Sequence, residues 1–326
     1  MILPYPLRLL CLCCASFFVL NAAVALLVFC ASKSAIRFAQ SKAASAAARF
    51  LLAVRMFPLA LAALFVLAFC VPSYLRFEPR LTSERVGAIC LLFGLFGAAT
   101  WCVSLARTAH SLLATVRHNH LCRLAGQETR IPGKSSPLVV VETEAPLLAM
   151  FGLLRPRLLI SRRVLRALSA EELNAALSHE HAHHAARDNA KRLLFLLTPD
   201  LFPFVRPLRV LDRQWSKFAE WAADDEAAGG DSLRALSLAS ALIQVARMGA
   251  PPFLPALSTS LLASDRDLSA RVDRLLRLGP IAPSCTWRVS PLFRAAAFLL
   301  AGCLAVLFFA PASLYSVHEL LELLLR

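Results

Sequence analysis

Charge is missing from four long stretches of this 326-residue chain. Residues 56–75, 86–106 and 295–315 carry none, and 7–31 has only Arg8 near its start, with Asn21 as a further polar residue. Each stretch is about 20 residues or more, enough for a helix to cross a hydrocarbon core of roughly 30 Å. Such runs exclude an ordinary soluble chain, as does a hydrophobic content of 58% with a mean hydropathy of +0.62. The first run is longer than the apolar core of a typical cleaved signal peptide, and three more runs accompany it. A mainly α membrane protein with four transmembrane helices is expected.

Acids are also missing where they would matter. Residues 32–55 hold Lys33, Arg37, Lys42, Arg49 and Arg55 and no Asp or Glu, so this stretch is expected as a basic cytoplasmic loop. Both termini then lie outside, and the segment after residue 106, opening with Arg107, Arg117 and Arg123, lies in the cytoplasm at a cell membrane. The net charge of +14 follows from this bias and from attraction to anionic headgroups. No aromatic-interleaved basic stripe accompanies the charge, which argues against a nucleic-acid partner. Of ten cysteines, Cys11, Cys13, Cys14, Cys30, Cys70, Cys90, Cys102 and Cys303 sit in the apolar runs, where Cys packs as a small hydrophobe. Cys122 and Cys285 stand alone in the cytoplasmic segment, so neither a disulfide framework nor a cysteine metal site is expected.

The expected organisation is 1–106 as three spans, 107–290 as one cytoplasmic domain, and 291–326 as a fourth span with a short outer tail. Within the domain, 126–137 reads as a loop, while "PLVVVETE" and "RPRLLIS" read as strands. Ser169 and Glu172 form an S-x-x-E capping box, so a helix starts near Ala170, and no Gly or Pro interrupts it before Thr198 and Pro199.

That helix holds "LSHEHAHHAARDN", in which His179, Glu180 and His183 have the spacing H-E-x-x-H. Residues four apart stack on one helix face, so both imidazoles can aim at one metal ion. Zinc takes such nitrogens, a third protein ligand and a water. Glu180, turned about 100° from His179, can reach that water as general base without ligating the metal. The third ligand is sought in "KFAEWAADDEAAGG", where Glu220 and Asp224 share a face: one can ligate while the other accepts a hydrogen bond from a ligand histidine. His181 and His184 lie off the ligand face, and His110, His118 and His120 read as solvated. A hydrolase also wants a donor for the oxyanion. Tyr5, Tyr74 and Tyr315 fall in or beside apolar runs, so no tyrosine of the domain can serve.

H-E-x-x-H followed by E-x-x-A-D resembles the gluzincin metallopeptidases, specifically their membrane-integral branches. The stretch "GLLRPRLLISRRVLRALSAEELNAALSHEHAHHAARD", the helix of Glu220 and "LSARVDRLL" are similar to the beta-lactam signal-transducer peptidases of the BlaR/MecR type, and more distantly to the HtpX and prenyl-protease class. The resemblance implies a zincin-like α+β metalloprotease domain between the third and fourth spans, and one zinc per chain held by His179, His183 and Glu220. It implies Glu180 as the base, Asp224 and Asp188 behind the ligands, and Arg271 as a candidate oxyanion donor. The implied activity is endopeptidase cleavage of a protein or peptide, such as a repressor or a membrane protein, in regulatory proteolysis. His181 departs from the apolar residue usual after the motif's Glu, and no sensor nucleophile motif appears before Arg326, so a penicillin-binding sensor is not expected. A catalytically silent membrane sensor keeping the fold is the alternative, though it would be expected to have lost Glu180 or a ligand. A metal-storage cluster would not need Glu180.

Overall fold

In the computed structural model the described residues are 4–78, 86–129, 138–143, 145–151, 157–200, 207–249, 258–260, 268–277, 314–317 and 319. All but the last two residues of the expected fourth span, 295–315, lie outside them.

The first three apolar runs become helices longer than a bilayer requires. They are α1 (Tyr5–Gln40), α2 (Ala44–Phe65) continued by a π-helical turn (Val66–Cys70) and α3 (Val71–Phe77), and α4 (Ala88–Ala125). Tyr5–Gln40, Ala44–Phe77 and Ala88–Cys122 are each long and apolar enough to cross a membrane. The 36 residues of α1 make about 54 Å at 1.5 Å per residue, well beyond the core of a bilayer. The π turn sits just before Pro72, whose ring would strike the carbonyl of residue 68 in a regular ladder. An added Cβ at Gly94 or Gly97 of α4 would collide with Cys11 or Cys14 of α1, so these two backbones touch.

The surplus length corrects one expectation. Residues 32–55 are not a loop: α1 runs to Gln40 and α2 starts at Ala44, leaving only a turn between them. Ala39, Ala44, Ala47 and Ala48, strong helix formers, are all buried here, and Lys33, Arg37, Arg49 and Arg55 ride on helix while Lys42 lies in the turn.

The remaining described residues form a five-stranded sheet with helices. The strands are β1 (Gly126–Thr129), β2 (Leu138–Val141), β3 (Leu148–Phe151), β4 (Arg157–Ser161) and β5 (Ser258–Ser260), in the order β1-β2-β4-β3-β5. Only the central pair β2 and β4 is parallel. Both central strands read as continuous apolar runs because both faces are covered. Leu138, Val140, Leu148, Met150, Leu158 and Ile160 face one core with the later helices; Val139, Ala149 and Leu159 pack with Cys122 of α4. The expected loop at 126–137 therefore opens with a strand instead.

The helices are α5 (Arg162–Ala167), α6 (Ala170–Ala185), α7 (Asp188–Leu197), α8 (Arg209–Ala228), α9 (Ser232–Arg247) and α10 (Leu268–Leu276). A single helix through to residue 198 was expected from the lack of Gly and Pro. It is broken instead at Arg187, which takes the left-handed conformation (φ 56°, ψ 41°). Helix α8 is sandwiched. Leu211, Trp215 and Phe218 share an apolar cluster with Ala47, Ala48 and Leu51 of α2, while Glu220 and Asp224 sit on the other side of α8. Burying a large apolar side chain contributes roughly 1.5–3 kcal/mol, so this face holds α8 against α2.

Candidate metal centre

The site is built on the start of α6. Ser169 Oγ accepts from the Glu172 amide and Glu172 Oε2 accepts from the Ser169 amide, closing the expected capping box. Glu172 Oε1 also accepts from Ser240 and Gln244, which fixes α6 on α9. Two turns further on, His179, Glu180 and His183 are all buried, at 0%, 0% and 2% exposure.

His179 Nε2 and His183 Nε2 lie 3.2 Å apart, and Glu220 Oε2 lies 3.5 Å from each. Ligands placed tetrahedrally about 2.0–2.2 Å from a metal are roughly 3.3–3.6 Å apart, so this triangle matches one face of such a site. The opposite ring nitrogens face carboxylates. His183 Nδ1 is 2.7 Å from Asp188 Oδ2, and His179 Nδ1 is 3.0 Å from Asp224 Oδ1, the latter too bent for a full hydrogen bond. With each Nδ1–H turned toward a carboxylate, both Nε2 atoms present lone pairs to one point. Glu220 closes that point, and neither of its buried oxygens has a hydrogen bond. A convergent, anionic, under-donated set of this kind suits a divalent cation. His179, His183 and Glu220 form the one such group among the described residues.

The electrostatics follow the same pattern. Burial alone would push both imidazoles down, but Asp224 and Glu220 outweigh it at His179 and raise its pKa. At His183 burial is outweighed by Glu220 and Asp188, with a smaller contribution from Glu180, to reach about 10. Burial would raise Glu220, yet the two histidines and Arg271 hold it well below the usual carboxylate range. Asp188 and Asp224 are likewise held low against burial, by His183 and by Arg271 respectively.

Asp188 reaches His183 because of the break at Arg187. Five positions on a continuous helix rotate by 500°, which would carry Asp188 about 140° away from His183. The left-handed residue folds the chain back instead. Lys191 Nζ then donates to the other Asp188 oxygen at 2.8 Å.

Arg271 of α10 is buried at 4% exposure. Its Nε and Nη2 donate to the two Asp224 oxygens at 2.9 and 2.7 Å, and Nη1 lies 3.3 Å from Glu220 Oε2. Arg192 of α7 brings Nη2 to 3.8 Å from Glu220 Oε1. Sequence reasoning missed Arg192, and only a helix broken before Asp188 would have aimed it here. His181 and His184 are exposed on the far side of α6. Asp225 pairs with Arg274 at 2.7 Å, and Glu226 is exposed.

A mixed sheet beside a helix carrying two histidines, with a carboxylate from a later helix, forms a group that could hold a metal ion. Residues 112–247 match the model of peptidase family M48. The matched stretch includes His179, Glu180, His183, Asp188, Glu220 and Asp224, while Arg271 lies beyond it. No curated protein matches the chain.

Proposed function

We propose that the protein is a zinc-dependent, multi-pass membrane endopeptidase that hydrolyses a protein or peptide substrate on the cytoplasmic side of a cell membrane. The observation that carries this reading is the triangle of His179 Nε2, His183 Nε2 and Glu220 Oε2, with Glu180 buried beside it. His179, His183 and Glu220 would hold the zinc. When bound, zinc supplies a Lewis acid that acidifies water toward a pKa of about 7 and polarises a peptide carbonyl. Glu180 takes the proton from water as its hydroxyl adds to the carbonyl carbon, then delivers that proton to the departing amine. Asp188 and Asp224 hold the two imidazoles in the tautomer that leaves Nε2 free. Arg271, with Nε and Nη2 committed to Asp224, acts by orienting that carboxylate and Glu220.

The basic, acid-free stretch 32–55 supports a cytoplasmic face for the domain. The likeness to the beta-lactam signal transducers supports regulatory proteolysis, with a repressor or a membrane protein as substrate.

The test compares wild type with Glu180→Gln and His179→Ala, purified as the full chain, for zinc content and hydrolysis of a denatured protein. Wild type should hold one zinc and cut. Glu180→Gln should keep the zinc and lose hydrolysis, and His179→Ala should lose both. Turnover retained by Glu180→Gln would remove Glu180 as the base.

A further inference from the structure

We infer that Arg55 is a positioning residue for the metal centre: with Asp212, Asp200 and Arg107 it forms a partly buried latch through which α2 and α4 set the placement of α7 and α8. The inference rests on the metallopeptidase reading and adds to it a route from the membrane helices to the ligands.

Arg55 of α2 is 1% exposed. Its Nε donates to Asp212 Oδ1 at 2.7 Å, and its Nη2 to Asp200 Oδ1 at 3.4 Å. Arg107 of α4 donates through Nη1 to the other Asp200 oxygen at 2.7 Å and through Nη2 to the Thr198 carbonyl at 3.4 Å. Ser104, one turn earlier on α4, donates to the Leu197 carbonyl. Two long apolar helices thus grip two helix ends: the end of α7 and the first turn of α8.

Both gripped helices carry site residues at their other ends. Helix α7 begins at Asp188, the partner of His183, and finishes at the Leu197 carbonyl held by Ser104. Asp212 lies in the first turn of α8, and Glu220 follows about 12 Å along the axis at 1.5 Å per residue. Asp224 lies one turn further, against His179. A rotation or shift of α8 at Asp212 therefore moves Glu220 and Asp224 together.

The apolar cluster of α2 and α8 is non-directional and tolerates sliding. A guanidinium fork bridging two carboxylates does not, because its planar donors fix distance and angle. Buried ion pairs are poor evidence for stability but good candidates for fixing one arrangement among several. Ligands that must meet within tenths of an ångström need such a constraint.

The experiment uses the full chain in detergent, loaded with zinc. It compares wild type, Arg55→Gln, Asp212→Asn and the exchanged pair Arg55→Asp with Asp212→Arg. The readouts are the rate of zinc transfer to a chelator and the separate kcat and KM for a protein substrate. Arg55→Gln and Asp212→Asn should each release zinc about 10-fold faster and lose about 10-fold in kcat with KM little changed, the range seen when a ligand's support is removed. The exchanged pair should recover little of either, because its carboxylate at position 55 faces Asp200. Wild-type zinc release and kcat in monodisperse Arg55→Gln would overturn the latch. Should that variant not fold, Arg55→Lys decides: it keeps the charge without the fork, and unchanged zinc release overturns the latch. Zinc absent from wild type itself would instead overturn the underlying metallopeptidase reading.

Discussion

Two clusters of charge, around Arg55 and around His179, differ in what they leave undone. Around Arg55, two arginines meet two aspartates, and the distances of 2.7, 2.7 and 3.4 Å are hydrogen bonds between opposite charges. Around His179, the contacts of Glu220 stay at 3.3 Å or beyond, and neither of its oxygens has a hydrogen bond. In the first cluster both aspartates accept hydrogen bonds from the arginines. The second turns two imidazole nitrogens and a carboxylate toward one point and satisfies none of them fully. Burial and charge are common to both, so neither marks a binding site. What marks it is the convergence of acceptors on one point with donors only at a distance, Arg271 Nη2 at 3.4 Å from His179 Nε2 and Nη1 at 3.3 Å from Glu220 Oε2, since buried polar groups otherwise find closer partners.

The largest effect should come from the residue that makes the second cluster open. In Glu220→Gln the negative charge is gone and the amide offers hydrogen atoms where the cluster needs lone pairs. Zinc content should fall from about one per chain to a small fraction of that, and hydrolysis with it, by well over 100-fold. Glu226→Gln, exposed on the same helix, should keep full zinc. Zinc lost from Glu226→Gln and kept by Glu220→Gln would mean that the third ligand lies six residues away.

The two clusters were not equally legible in the sequence. The open one has local signatures: His179 and His183 are one turn apart, Glu220 and Asp224 one turn apart, and the capping box at Ser169 announces the helix. The one around Arg55 has none, because Arg55 and Asp212 are 157 residues apart and each is ordinary in its own surroundings. Arg55 read as part of a basic loop, and only the alanine-rich continuation of α1 and α2 turns that stretch into buried helix. Strands β2 and β4 were visible through their β-branched or continuous apolar runs. Strand β3, "LAMF", has no β-branched residue, and β1 and β5 are short polar edges, so pairing rather than propensity makes them strands.

A smaller contrast lies within the metal centre. Asp188 makes a well-formed 2.7 Å hydrogen bond to His183, whereas Asp224 meets His179 at a bent 3.0 Å while held on two sides by Arg271. Asp188→Asn should therefore weaken zinc binding more than Asp224→Asn, both within the roughly 10- to 100-fold typical of a ligand's hydrogen-bond partner. Competition with a chelator at fixed pH reads the difference. The reverse order would assign the dominant support to the Asp224–Arg271 pair.

The smallest expected effect concerns Arg187, whose backbone lets Asp188 reach His183. A non-glycine residue in the left-handed region costs about 1–2 kcal/mol, and glycine is free of that cost. Glycine also gives the unfolded chain more freedom, which takes back roughly 0.5–1 kcal/mol. Arg187→Gly should thus be near neutral to slightly stabilising, with zinc affinity unchanged, because Arg187 is exposed and the turn it makes is kept. Arg187→Val removes the same exposed side chain but resists the left-handed conformation. It should lower the thermal midpoint and loosen zinc, as Asp188 is drawn away from His183. If Arg187→Val binds zinc as tightly as Arg187→Gly, the turn at Arg187 does not control the Asp188 contact.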